Sequence, residues 1–216
     1  MQKLLMPFKQ QMMLCGYKNI EYLKHWGYAH YGVDISTIQG NAGVDATVYA
    51  SGDGEVALTG YDNAVGNVIA IIYPDCYNHY TGQIYSLVAR YMHLRTISVK
   101  AGDKVKAGDK VGVEGNTGTE GYHLHIEFDT DTKWPAYSPQ VKGSNIIKKG
   151  TDSTVNPSYL FHVGENQAIV KPTYNQAWLN AADLVIPKLE KEPDYKALYE
   201  EAQGRIDKMK NYIAGA

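Results

Sequence analysis

Four of the seven histidines in this 216-residue chain fall in three short segments whose residue types could do chemistry together: His30-Tyr-Gly-Val-Asp34, Tyr91-Met-His-Leu94 and His123-Leu-His125. Imidazole binds metals, moves protons near neutral pH and steadies a developing oxyanion. Side chains alternate along a strand, so His123, His125 and Glu127 would share one face while Leu124, Ile126 and Phe128 take the other. Alone, a His-x-His pair is more often a solvated or hydrogen-bonded strand feature than a metal site. His30 and Asp34 shift that balance, because Gly32 between them lets the segment bend and bring imidazole and carboxylate to one point. Catalytic zinc takes three protein ligands and keeps a fourth position for water; His30, Asp34 and one member of the 123/125 pair meet that count. The remaining histidines are then free to move protons. Glu127 either supports an imidazole from behind or sits exposed at a strand end. Tyr91, two residues from His93, is expected on the same strand face, as cleft wall or packed ring.

Such groups need a rigid scaffold, and residues 47 to about 128 supply the pattern of an antiparallel β domain. Expected strands are Thr47–Ala50, Glu55–Thr59, Asn67–Tyr73, Tyr85–Leu94, Lys110–Val113 and His123–Thr130, joined by glycine-rich turns such as Ser51-Gly-Asp-Gly54 and Glu114-Gly-Asn-Thr-Gly118. The echo Lys100-Ala-Gly-Asp-Lys-Val105 and Lys106-Ala-Gly-Asp-Lys-Val111 repeats after six residues, too short for a solenoid unit, and reads as two successive turns. Beyond Asn156-Pro157 the character changes. After Pro172 the pattern turns helical, with Tyr195, Leu198, Tyr199, Ala202, Ile206, Met209, Tyr212 and Ile213 on one face. That helix would pack on the β domain, or serve as a linker or oligomerising element.

Bulk properties exclude several classes. With 21 Lys+Arg against 23 Asp+Glu and no basic block, the chain lacks the footprint of a nucleic-acid binder. Its longest apolar stretch, Val68-Ile-Ala-Ile-Ile-Tyr73, falls far short of the roughly 20 residues of a membrane span, so no membrane insertion is expected. A composition that is 44% hydrophobic can bury a core. The amino terminus, cut by Pro7 and Lys9, carries no visible secretion signal. Cys15 and Cys76 are expected to be unpaired. Aromatic usage is lopsided, 18 Tyr against 3 Phe and 3 Trp, which suits either a surface touching polar polymers or simply a β-rich protein.

Taken in order, His30-Tyr-Gly-Val-Asp34, Ala50-Ser-Gly-Asp-Gly-Glu-Val56, Tyr91-Met-His-Leu94, Val105-Lys-Ala-Gly-Asp-Lys-Val111, Gly115-Asn-Thr-Gly118 and His123-Leu-His-Ile-Glu127 resemble the lysostaphin-type or LytM-like zinc metalloendopeptidases, which cut peptide bonds in bacterial peptidoglycan. The resemblance spans roughly residues 28 to 160. It implies a mainly β, antiparallel catalytic domain with a helical carboxy-terminal extension, divided as an N-terminal segment 1–14, a catalytic domain 15–162 and an extension 163–216. It implies that His30, Asp34 and His125 bind Zn2+, while His93 and His123 are catalytic without being ligands and share proton transfer and oxyanion stabilisation. It further implies peptidoglycan as partner and an extracellular wall as the place of action. The absent signal favours a phage-released or virion-associated enzyme over a trimmed secreted one. Tyr122 stands where the family usually has proline before its His-x-His, so the strand entry or the adjoining groove is expected to differ. Two other readings compete: a non-catalytic wall-binding or structural module of the same fold, disfavoured by the intact constellation, and a lipoyl- or biotinyl-type carrier using Lys104 or Lys110, which would need no such histidines.

Overall fold

A computed structural model describes residues 1–37, 46–133, 135, 152–170, 176–190 and 199–205. In chain order its strands are β1 (Leu4–Leu5), β2 (Gln10–Cys15), β3 (Val33–Thr37), β4 (Thr47–Tyr49), β5 (Gly54–Asp62), β6 (Gly66–Tyr77), β7 (Ile84–Leu94), β8 (Thr96–Ile97), β9 (Lys104–Val105), β10 (Lys110–Val113), β11 (Leu124–Asp129), β12 (Thr154–Val155), β13 (Phe161–His162) and β14 (Ala168–Val170). A nine-stranded sheet runs β14-β2-β3-β11-β7-β6-β5-β9, with β12 beside β11; β4-β10-β8 form a second sheet and β1-β13 a third. All pairings are antiparallel except β1 with β13 and β14 with β2.

Alternation makes the large sheet two-faced. Val33, Ile35, Ala89, Tyr91, Leu124, Ile126 and Phe128 bury one face in a core shared with Val48 and Val111 of the second sheet. The opposite face presents Asp34, Arg90, Met92, His125 and Glu127, and register does the positioning: His125 pairs with Asp34 on one side and with Met92 on the other. The two Ala-Gly-Asp-Lys repeats are indeed successive turns, in which Asp103 and Asp109 accept from the backbone N–H of Lys100 and Lys106.

The six expected strands all form, most of them longer or shorter by a few residues. Residues 1–14, which the sequence appeared to set apart, supply β1 and most of β2, because Leu4, Met6, Phe8 and Met13 are each completely buried. A short α-helix, α1 (Ile20–Trp26), has no counterpart among the sequence expectations; Asn19 caps it by accepting from the Glu21 and Tyr22 N–H groups, and Gly27 ends it at φ +78°. Beyond residue 163 the chain adds β14 and two 3₁₀ turns, Gln176–Trp178 and Ala181–Leu184, against the sheet. Residues 199–205 are α-helical, with Tyr199 and Ala202 exposed; Tyr195, Leu198, Ile206, Met209, Tyr212 and Ile213 lie outside the described residues. No described helix is long and apolar enough to cross a membrane.

Candidate metal centre and active-site cleft

His30 leads into β3, Asp34 lies within it, and His125 sits on the adjoining β11. Their donor atoms converge. His30 Nε2 is 3.0 Å from Asp34 Oδ1 and 3.0 Å from His125 Nδ1, and His125 Nδ1 is 2.9 Å from Asp34 Oδ1. The edge between ligands of a tetrahedral zinc with bonds of about 2.0–2.1 Å is only a few tenths of an ångström longer. The His30 Nδ1–H donates to the Gly16 carbonyl at 2.8 Å, so Nε2 presents its lone pair to the cluster. Lone pairs facing one another at these distances require positive charge among them, a proton or a metal ion. Burial opposes a charge on His125, but Asp34 and Glu127 outweigh it and hold the imidazole up to about 9. Burial likewise works against the Asp34 carboxylate, yet the surrounding His30, His123 and His125 keep it well below the ordinary carboxylate range.

Cys15, opposite Asp34 on β2, also has its sulfur within 4.8 Å of the His30 and Asp34 donor atoms. Burial, and then the charges of Asp34 and Asp183, push this thiol far above its ordinary value, and it donates to the Gly16 carbonyl at 3.8 Å. His125 Nδ1 approaches both His30 Nε2 and Asp34 Oδ1 to within 3.0 Å. Cys15 and Cys76 are both free and buried.

His93 and His123 complete the cluster, their ring centroids 4.8 Å apart, with His123 Nε2 3.7 Å from Asp34 Oδ1. Each gives its Nδ1–H to a backbone carbonyl, His93 to Thr117 and His123 to Gly121, both at 2.9 Å. Both therefore turn an unprotonated Nε2 away from those carbonyls. Burial, reinforced by His123 and His125, drives His93 down to about 3. Its placement is unusual: His93 adopts φ +63°, where β7 carries an extra residue relative to β6. That bulge breaks the alternation expected from sequence. Tyr91 points into the core and donates to Ser51 Oγ, while His93 swings to the face of Met92 and His125.

Buried groups behind the cluster fix its side chains. Glu127 is buried, 3.8 Å from His125 Nε2, and accepts from Arg90 Nη1 at 2.5 Å. Burial disfavours its carboxylate, but Arg90 and then His125 keep it ionised. Gly32 acts differently from the bending role expected of it: a β-carbon there would lie 2.7 Å from His125 Nε2 and closer still to the Ile126 carbonyl, so its bareness makes room for the imidazole. The Gly16 carbonyl that orients His30 is clamped from the far end of the chain. Gly16 N–H donates to Trp178 O at 2.8 Å, Asn180 Nδ2 donates to Tyr17 O at 2.7 Å, and Asn180 N–H donates to the buried Asp183 at 2.7 Å. None of Gly16, Asn180, Asp183 or Arg90 was singled out from sequence; only their folded neighbours give them meaning.

All five expected site residues line one cleft of about 550 Å³. Tyr22, Trp26, Tyr28 and Trp178 supply an aromatic part of its lining, and Thr119, Glu120 and Gly121 line it as well. Tyr122, in the place of the family's usual proline, follows Gly121 with its side chain partly exposed.

Residues 28–136, about half of the chain, match Peptidase family M23. No curated protein matches the chain. Among solved structures, the SpoIIQ–SpoIIIAH pore-forming complex has a TM-score of 0.52 at 21% identity, covering 74% of this chain and 92% of that one, a likeness of fold. The antimicrobial peptidase lysostaphin from Staphylococcus simulans is 26% identical with a TM-score of 0.47, over 68% of this chain and 51% of that one. A zinc-containing peptidase from Vibrio cholerae is 26% identical with a TM-score of 0.44, over 59% of this chain and 36% of that one. The chain thus spans about half the length of the first peptidase and about a third of the second. With the family's segment occupying the sheet that carries the histidine cluster, the chain belongs to Peptidase family M23, a family of zinc metallopeptidases acting on peptidoglycan.

Proposed function

We propose that this chain is a zinc-dependent endopeptidase that hydrolyses peptide bonds in bacterial peptidoglycan, with His30, Asp34 and His125 holding the ion and His93 and His123 moving protons. The observation that carries this reading is the convergence of three lone-pair donors at 2.9–3.0 Å beside two imidazoles in one open cleft. Bound zinc supplies Lewis acidity toward water and toward the scissile carbonyl, and steadies the oxyanion that follows. His93 and His123, protonated at Nδ1, offer two Nε2 acceptors for the two O–H groups of an attacking water. Because His93 is buried and resists charge, the proton taken from that water rests on His123. His123 then gives it to the departing amine as the C–N bond breaks. Behind these residues, the Gly16 carbonyl holds His30 in its binding tautomer, and the Glu127 carboxylate stands 3.8 Å from His125 Nε2. The substrate lies outside the membrane, which fits delivery as a phage lysin or with a virion.

Digestion of purified peptidoglycans of several cross-bridge types, with mass spectrometry of the new amino termini, tests the proposal. Zinc-dependent release of a new α-amine at one bond type is expected. Wall binding by the zinc-loaded protein without any new amine would replace it with the non-catalytic binding module.

A further inference from the structure

Aromatic rings run without interruption from the candidate metal centre to the rim of the cleft. The Tyr22 ring lies 4.5 Å from that of His30, and beyond Tyr22 come the rings of Tyr28 at 5.6 Å, Trp178 at 6.0 Å and Trp26 at 6.3 Å. His25 closes the set, 4.7 Å from Trp26 and 5.8 Å from Trp178. Trp26 is 53% exposed although it is the largest apolar side chain of its helix, and α1 buries no residue at all. The helix therefore adds nothing to the core; its contribution is the wall it builds. Among the described residues lining the cleft there is no lysine or arginine, while Asp34, Glu120 and Glu127 are acidic. A ligand segment rich in carboxylates would meet no lysine or arginine along the aromatic wall. An uncharged ring with a C–H face and hydroxyl edges suits it, because aromatic faces take up apolar C–H surface while the ligand's polar edge stays in water.

We propose that Trp26, Tyr22 and Trp178 form a subsite for an uncharged N-acetylated sugar of the glycan strand, next to the peptide being cut. The inference rests on the peptidoglycan endopeptidase reading above and narrows it: the preferred substrate is peptide still attached to glycan. α1 precedes residue 28 and Trp178 follows residue 136, so the subsite is built from segments outside the family's matched stretch.

The test uses the full-length protein and two readouts. Calorimetric titration with an uncharged β-1,4-linked N-acetylglucosamine tetramer should give saturable binding to the wild type, weakened about tenfold or more in Trp26→Ala and Trp178→Ala, as loss of a stacked ring predicts. In kinetics, the ratio of KM for a glycan-linked peptide to KM for the same peptide without sugar should rise by a similar factor in Trp26→Ala. Absence of tetramer binding by the wild type, or an equal loss on both substrates, would overturn the subsite and assign the wall to the peptide. Tetramer binding without cleavage of either substrate would instead retain the subsite and reject the endopeptidase reading.

Discussion

Replacing Asp183 by alanine perturbs the metal centre from a residue that never touches it. Asp183 is completely buried, accepting from the Ser158 hydroxyl at 2.6 Å and the Asn180 N–H at 2.7 Å. Burial lifts its pKa above the ordinary carboxylate value even though both donors pull the other way. Alanine leaves the buried Ser158 hydroxyl without an acceptor, at about 1–3 kcal/mol, and the half-buried Asn180 N–H at less, so the chelated protein should lose about 1–4 kcal/mol, a large share of the roughly 5–15 kcal/mol typical of a domain. The effect should also reach His30. Asn180 holds the Tyr17 carbonyl, the Trp178 carbonyl takes the Gly16 N–H, and the Gly16 carbonyl fixes the His30 tautomer. Loosening such support behind a ligand typically weakens metal binding about 10- to 100-fold. Competition with a chromogenic chelator, at a temperature where the variant remains folded, measures zinc affinity, and thermal melting of the chelated form measures stability. An Asp183→Ala variant that melts with the wild type and binds zinc within about twofold of it would refute the clamp.

Other expectations follow from the same geometry. Asp34→Ala should lose tight zinc binding while Cys15→Ser keeps it, as elemental analysis would show; the reverse result would install the thiol as a ligand. His93→Ala and His123→Ala should stay zinc-loaded yet lose about 10²-fold or more in rate, and wild-type activity in either would overturn their role. His125 is held up to about 9, above an unfolded value near 6.5, so in the chelated protein its stabilisation is fully present below about pH 6.5 and disappears as pH rises through about 9. Zinc requires the neutral ring, so zinc affinity should climb about tenfold per pH unit up to about 9, with one proton released on binding near neutrality; a pH-independent affinity would contradict this. A chain ending at residue 163 loses β14, Asn180 and Asp183 and should melt lower with weakened zinc binding, as calorimetry would reveal.

The long strands were legible because their β-branched and aromatic runs are bounded by glycine-, aspartate- and asparagine-rich turns, whereas the histidine motifs gained their meaning from the resemblance to a known family. Two-residue strands such as β1, β8 and β13 are too short for any period to declare them. Helix α1 escaped notice because Ile20, Leu23 and Trp26 face solvent and give no buried stripe, although its caps, Asn19 and Gly27, were in plain view. The left-handed turn at His93 is carried by a non-glycine residue, so nothing in the letters marked it; Tyr91 therefore does not share the face of His93, while its reading as a packed ring holds. The His30 support depends on Asn180 and Asp183, some 150 positions away, joined only by folding.

The two parallel pairings also govern when the molecule comes into being. Leu4 pairs with Phe161 and Gln10 with Ala168, so β1, and the edge of β2 that faces away from β3, find these partners only after some 160 further residues have been made. Closing so long a loop is slow, and structures dominated by such distant pairings fold late and all at once. His30 inherits that schedule, since the carbonyl that orients it is gripped by Trp178 and Asn180. A nascent chain carrying every histidine of the cluster is therefore still a chain without its finished centre. The order of synthesis is thus also an order of assembly: the five cluster residues are made first, and the grip on the carbonyl that orients His30 arrives only with residues 178–180.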